Sequence, residues 1–229
     1  MDSYYKIKPI AYIRTDFPEK FGIPRQSGLV STLKAKIFFE PEFASPDAVK
    51  GLDGFSHIWL IWGFSETMGQ KWTPTVRPPR LGGNLRVGVF ATRSPFRPNS
   101  LGLSCVRLEA IETDRDHGLL LCVAGADLLD RTPIFDIKPY LPYVDSFPEA
   151  AEGFGGDVKE YALIVNCPEE YLNLIPQSQR TPLLEILAQD PRPSYHNDPN
   201  RIYGMKYAGM EVKFFVNKNV LSVCKIEAL

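Results

Sequence analysis

Cysteine and histidine are scarce in this chain, four and three among 229 residues, and that scarcity excludes two kinds of architecture. Cys105, Cys122, Cys167 and Cys224 form no Cys-x-x-Cys pair, and three histidines are too few to complete a zinc site with them. A disulfide framework is not needed either, because a chain of this length buries a sizeable core without one. Cys105 and Cys122 lie in apolar, strand-like stretches, where a buried reduced thiol is expected. Long apolar runs are missing: none reaches the roughly 18 residues of a membrane span. Residues 1–6 show no basic segment leading into an apolar one, so a cytoplasmic protein with no membrane partner is expected. Nucleotide-binding signatures are absent as well. Gly82, Gly83 and Gly88 do not make Gly-x-Gly-x-x-Gly between a strand and a helix, and there is no P-loop. Ser56-His57 does not read as half of a hydrolase triad, because neighbours on a strand point to opposite faces.

Acidic residues are missing from one long stretch. Residues 67–108 hold no Asp or Glu but carry Lys71, Arg77, Arg80, Arg86, Arg93, Arg97 and Arg107, while the net charge of the whole chain is −1. A near-neutral chain with one wholly basic segment can present a positive face to a polyanion. The alternative is that these side chains scatter over the surface or pair with acids elsewhere in the fold.

What is present in the first two thirds reads as β structure. Residues 5–13 form a first strand with Pro9 at an edge or bulge, and residues 35–39 a second. Residues 46–52 make one helical turn, with Ser45 as N-cap and Gly51 closing it. Residues 56–64 are almost continuously β-branched and aromatic, the pattern of a central strand buried on both faces, with Trp59, Trp62 and Phe64 in the core. Residues 85–91, 101–111, 119–126 and 133–137 continue the series, separated by Gly, Pro, Asn and Asp. Short strands without long helices between them predict an antiparallel β-barrel. The stretch 152–157 marks a boundary. Beyond it, residues 168–175 and 181–189 have helical spacing, with Thr181 capping the second helix, and residues 201–207, 210–216 and 220–226 alternate as a three-stranded meander. The fold class is therefore mainly β, with a barrel over residues 1–150 and a small C-terminal α+β domain over residues 158–229.

Three clusters could carry chemistry. In residues 88–99 a strand delivers Arg93 and Arg97 into a loop stiffened by Pro95 and Pro98. Rigid placement matters for a guanidinium, whose planar fork recognises phosphate or carboxylate only when correctly aimed. Asn99 adds amide donors and an acceptor suited to a base edge or a cofactor carboxylate. The second cluster, residues 127–140, holds Asp127, Asp130, Asp136, Lys138 and Tyr140. Asp136 and Lys138, two apart on a strand, share a face and could pair. The third is the polar loop Pro24, Arg25, Gln26, Ser27, Gly28.

At these motifs the sequence resembles the TrmO family of transfer-RNA methyltransferases, also called TsaA-like or YaeB proteins. The resemblance is carried by residues 24–26, 51–64, 72–84, 93–99, 136–142 and 187–195, almost the whole chain. It implies an S-adenosylmethionine-binding barrel rather than a Rossmann fold, a homodimer with the cofactor near the subunit interface, and no metal. The implied substrate is N6-threonylcarbamoyl adenosine beside the anticodon of tRNA, which gains a methyl group on N6. The implied cofactor pocket consists of Pro24, Arg25, Gln26, Ser65, Glu66, Arg93, Leu103 and the turn Asp130, Arg131, Thr132, Pro133. Family members usually have glycine where Arg131 stands, which would make a left-handed turn easy there. They often have histidine where Ser65 stands.

The chemistry implied is positional: adenine N6 must be held in line with an already activated methyl group. Conjugation makes N6 a poor nucleophile and its N–H more acidic, so a base could help. Asp136 is the candidate for that base or for an orienting contact, and Arg97 or Lys138 suits the threonyl carboxylate. Arg77, Arg80, Arg86, Asn99 and Tyr140 are then the candidates to meet the anticodon stem-loop. A non-catalytic RNA-binding or regulatory β-barrel is the alternative, and cofactor binding separates the two.

Overall fold

The computed structural model describes residues 5–78, 85–154, 162–193 and 198–229. Side-chain alternation decides the first strands: β1 (Ala11–Arg14) turns Ala11 and Ile13 inward, β2 (Lys34–Phe39) Ala35 and Ile37, and β3 (His57–Gly63) Ile58, Leu60 and Trp62. β4 (Thr75–Val76) and β5 (Val87–Gly88) pair as a separate ribbon. The first unit is completed by β6 (Leu101–Asp114), β7 (Gly118–Ala124) and β8 (Pro133–Pro139), followed by a helical turn, α1 (Pro142–Asp145). The strands pair in the order β1-β2-β7-β6-β3-β8, all antiparallel, and β8 returns to β1 through Ala11↔Ile134 and Tyr12↔Pro133. A ring closed in this way exposes no strand edge. Its interior is filled by Ile13, Ile37, Ile58, Leu60, Leu121, Val123 and Ile134, all fully buried. Each contributes roughly 1.5–3 kcal/mol of transfer free energy.

The second unit contains β9 (Ile164–Asn166), α2 (Glu169–Leu172), α3 (Gln177–Ala188), β10 (Tyr203–Tyr207), β11 (Met210–Asn217) and β12 (Val220–Ala228), with sheet order β10-β11-β12-β9. Its core holds Leu183, Leu187, Met205, Tyr207, Val212, Phe214 and Leu221. The same core takes in Phe17, Val30 and Leu33, with Phe21 and Ile23 packed against it. The loop between β1 and β2 therefore leaves the ring, seats its apolar residues in the second unit and returns.

Several expectations are corrected. The first strand starts at Ala11, not Tyr5, because Pro9 has no N–H to donate. β3 is not buried on both faces: a closed ring has one interior, so His57, Trp59 and Ile61 face outward, half-buried. Cys105 and Cys122 likewise alternate to the outer faces of β6 and β7, half-buried. Within residues 85–91 only Val87–Gly88 is strand, followed by a 3-10 turn, Val89–Ala91. Ser45 precedes the 3-10 turn Pro46–Val49 without a side-chain capping bond. α3 begins at Gln177, a turn before Thr181, and carries Pro182 inside it. The terminal meander is present, and β9 extends it by pairing parallel with β12. No helix among the described residues is long and apolar enough to cross a membrane.

Candidate functional site

The antiparallel order brings the C-terminal ends of β1, β3 and β7 and the N-terminal ends of β2, β6 and β8 to one end of the ring. Three connections gather there: the loop between β1 and β2, the long excursion 64–100 between β3 and β6, and the turn between β7 and β8. All of the acid-free stretch except Arg107 and its strand neighbours falls in that one excursion.

A polar network ties these connections together. The Arg93 guanidinium donates to Gln26 Oε1, joining the excursion to the first loop. The Cys105 amide donates to Ser27 Oγ at 3.2 Å, and Gly28 N–H to the Gly125 carbonyl at 2.9 Å. Beneath them the Trp62 indole donates to Ser104 Oγ at 3.0 Å, and that hydroxyl donates to Asp127 Oδ1 at 2.6 Å. Burial pushes the Asp127 carboxyl above the usual carboxylate range, against the opposing pull of Ser104 and Arg93. Gly102 makes the network possible: a Cβ there would sit 2.3 Å from the Trp62 ring.

The turn 130–133 is a second anchor. Arg131 adopts φ 62°, so the left-handed turn forms without the glycine. The amides of Asp130, Arg131 and Thr132 donate to the carbonyls of Phe17, Ile13 and Leu129. Asp130 Oδ1 accepts from Arg14 Nε at 2.9 Å and from the Thr15 amide at 3.0 Å. Pro133 and Thr132 are buried. The turn is held by the ring, and the exposed Arg131 side chain is what it offers outward.

The other predicted cofactor residues divide. Pro24 is buried, and Arg25 Nη2 donates to the carbonyls of Asp190 (3.2 Å) and Arg192 (3.1 Å) in the second unit. Those two residues form a bidentate ion pair with side chains only 13% and 8% exposed. Glu66 pairs with Lys20 at 2.7 Å, and Ser65 is exposed. Leu103 lies on the outer face of β6, 54% exposed.

Leu103 and Asp136 are both register partners of Ile61, one on each side of β3, so the three form one cross-strand row on the outer wall β6-β3-β8. At about 4.8 Å per strand, Asp136 stands roughly 10 Å from Leu103. Asp136 and Lys138 pair at 2.8 Å, as their spacing allowed. Arg97 is folded into its own loop, Nη1 donating to the carbonyls of Thr92 (2.8 Å) and Ser94 (3.4 Å), with its guanidinium over Phe90. Among the described residues no hydrogen bond joins Arg97 to Asp136 or Lys138. Arg77, Arg86 and Asn99 are exposed on the excursion, with Arg86 Nη1 donating to Thr75 at 3.0 Å; Arg80 lies outside the described residues. Tyr140 sits further along the wall, its ring 5.7 Å from Trp59 and 6.2 Å from His57. Ser56 Oγ and His57 Nδ1 do meet at 2.9 Å, because Ser56 precedes the strand and escapes its alternation.

Sequence reasoning missed the Ser104–Asp127 pair and the Arg25 clamp. A carboxylate three residues past the end of strand β7 was the available signal for Asp127; partners 165 residues apart left none for Arg25 and Asp190.

A closed antiparallel ring with polar loops over one end, joined to a second sheet unit through its own first loop, defines a class distinct from parallel nucleotide-binding folds. The chain belongs to the tRNA-methyltransferase O family: residues 12–146 match the family's N-terminal domain and residues 166–229 its C-terminal domain. It is 43% identical over 199 residues, 84% of each chain, to the tRNA (adenine(37)-N6)-methyltransferase of Escherichia coli K12. It is 41% identical over 216 residues, 91% of each chain, to a putative S-adenosylmethionine-dependent methyltransferase, RcsF, of Pseudomonas aeruginosa. The crystal structure of TrmO from Pseudomonas aeruginosa matches with a TM-score of 0.78 at 33% identity, covering 98% of this chain and 100% of that one.

Proposed function

We propose that this chain is a cytoplasmic enzyme that transfers a methyl group from S-adenosylmethionine to N6 of adenine 37 in tRNA. The observation that carries this reading is the similarity to the Escherichia coli enzyme through 84% of both chains, spanning both family domains. That similarity favours an enzyme over a non-catalytic RNA-binding barrel. The base modified is N6-threonylcarbamoyl adenosine, as the family resemblance implies.

The donor set at the end of the barrel fits the cofactor. Its methionine end carries a carboxylate and an ammonium, which the Arg93 guanidinium and the Gln26 and Asp127 side-chain oxygens would hold. Its adenine and ribose match exposed Leu103 and the polar turn at Asp130 and Arg131. When bound, S-adenosylmethionine supplies a methyl group already activated on a sulfonium. The chain's own work is placement. Asp136, oriented by Lys138, accepts the N6 proton. Arg97, anchored through one of its nitrogens, offers the rest of its fork to the threonyl carboxylate. Arg77, Arg86 and Asn99 meet the stem-loop backbone.

A second copy of the chain covers the wall that carries Leu103. Leu101 and Leu103 are exposed apolar residues on it, and Phe90 and Phe96, on the excursion that leads into β6, are exposed as well, Phe90 at 73%. The deciding experiment is mass spectrometry of threonine tRNA purified from cells lacking this gene and incubated with the protein and S-adenosylmethionine. One added methyl on the threonylcarbamoyl adenosine is expected. No gain with cofactor binding intact would overturn the substrate; no cofactor binding would overturn the enzyme.

A further inference from the structure

The wall opposite the proposed active face carries a groove of about 860 Å³ that, apart from Arg131 at its end, the assignments above leave unused. It runs over the outer face of β1, β2 and β7, lined by Tyr12, Arg14, Lys34, Lys36, Phe38 and Arg131 among others. Its chemistry is set by two successive cross-strand pairs. Tyr12 stands directly opposite Phe38, and Arg14 directly opposite Lys36. Like charges facing each other across neighbouring strands destabilise a sheet. A fold keeps such a local conflict where function requires it.

The charges are only partly neutralised. Arg14 pairs with Asp130, and Lys34 with Glu109, which also takes Arg107. Among the described residues Lys36 has no ion-pair partner, and the Arg131 side chain is 78% exposed with Asp130 no nearer than 3.9 Å. Arg14, Lys34, Lys36 and Arg131 thus meet three carboxylates, Asp16 and Glu109 in the lining and Asp130 beside it, in a chain whose net charge is −1. Tyr12 is 36% exposed and lines the groove together with Lys36, while the ring of Phe38 lies 5.1 Å from that of His117. Rings interleaved with unneutralised cations are the composition of a surface that stacks bases and tracks phosphates. Arg131 also ties the groove to the loop cluster, since the turn that carries it is one of the three connections there.

Resting on the tRNA substrate proposed above, we infer that this groove is a second RNA-contact surface, which holds a part of the tRNA other than the reacting nucleotide. The binding energy it supplies is remote from the chemistry. It acts on the capture of tRNA and leaves both the cofactor and the transfer step alone.

The test uses full-length protein and full-length tRNA, with Lys36→Glu, Tyr12→Ala and the double variant. Filter binding at several salt concentrations gives tRNA affinity, calorimetry gives S-adenosylmethionine affinity, and methylation kinetics give kcat and the KM for tRNA. Lys36→Glu is expected to weaken tRNA binding about tenfold and to lower the salt slope by about one. Tyr12→Ala is expected to weaken it severalfold with an unchanged slope, as loss of a stacking platform should. Both raise KM for tRNA and leave kcat at saturating tRNA and cofactor affinity within about twofold of wild type. Unchanged tRNA affinity and slope, with a wild type that methylates normally, would overturn the groove alone and leave it to an acidic protein surface. A fall in cofactor affinity alongside tRNA affinity would overturn it too, by placing the effect at the loop cluster. A wild type that neither binds nor methylates tRNA would sink both the activity and the groove.

Discussion

Ser104 and Asp127 meet at 2.6 Å under the loop cluster, with the hydroxyl of Ser104 donating to the carboxylate while it accepts from the Trp62 indole. One side chain thereby links the packed interior, through Trp62, to the start of the β7–β8 turn. The carboxylate is held by hydrogen bonds in a site where burial disfavours its charge.

That opposition predicts a pH signature. Asp127 titrates above its unfolded value, so the folded protein binds this proton more tightly than the unfolded chain does. Its contribution to stability is full below the unfolded value and is lost as pH rises through the folded one. Asp127→Asn carries no such loss. The difference in Tm between variant and wild type should therefore move in the variant's favour as pH climbs from about 4 and level off once Asp127 is ionised. Thermal melts at half-unit steps measure this; a difference flat with pH contradicts the raised value.

Arg131 gives a prediction about strain. A residue with a Cβ in the left-handed region costs roughly 1–2 kcal/mol, and Arg131 occupies it at φ 62° with its amide bonded to Ile13. Arg131→Gly relieves that strain and gives back part of the gain as unfolded-state entropy. The expected outcome is a stability gain of up to about 1 kcal/mol by denaturant midpoint at unchanged m-value. A loss beyond about 1 kcal/mol would mean that the arginine side chain does more for the fold than its exposure suggests.

Arg97 separates substrate recognition from cofactor binding. Its guanidinium is anchored within its own loop, and among the described residues it has no hydrogen bond to the Gln26–Arg93 pair. Arg97→Ala should lower kcat/KM for tRNA by about a hundredfold, the effect of losing a charge-assisted contact to a substrate carboxylate. Affinity for S-adenosylmethionine should stay within about twofold. Undiminished methylation would end its proposed role, and loss of cofactor binding would move it to the other site.

How much of this was legible in the sequence depends on range. Strands whose inward faces alternate, such as β1, β2 and β6, were readable because period-two burial is a local property. β9 was not, since three residues in parallel pairing with β12 leave no pattern to read. The same limit governs the site. The spacing of Asp136 and Lys138 announced their ion pair, whereas the bond from Arg25 to Asp190 joins residues that no window contains together. The path of residues 17–33 into the second core was hidden for another reason. Nothing local to Phe17, Phe21 and Ile23 assigns them to one core or the other, and only the tertiary fold decides which receives them.

That second core contains the last test. The Tyr207 ring is fully buried against Phe17, with centroids 5.5 Å apart, and among the described residues its hydroxyl has no hydrogen-bond partner. Burial, and then the nearby Asp16 charge, push its ionisation well above the ordinary tyrosine value. Tyr207→Phe keeps the ring and removes only the desolvated oxygen, so stability should rise by about 1 kcal/mol. For a chain of this size that is roughly 2–4 °C in Tm. The sign of the pH effect follows as well. Because the folded value is raised, the phenol's contribution holds below about pH 10 and is lost as pH rises beyond it. Wild type should therefore weaken relative to the variant in that alkaline window, a loss that the phenylalanine cannot show. A variant that is less stable by 1 kcal/mol or more at neutral pH means that the hydroxyl is hydrogen-bonded in the folded protein.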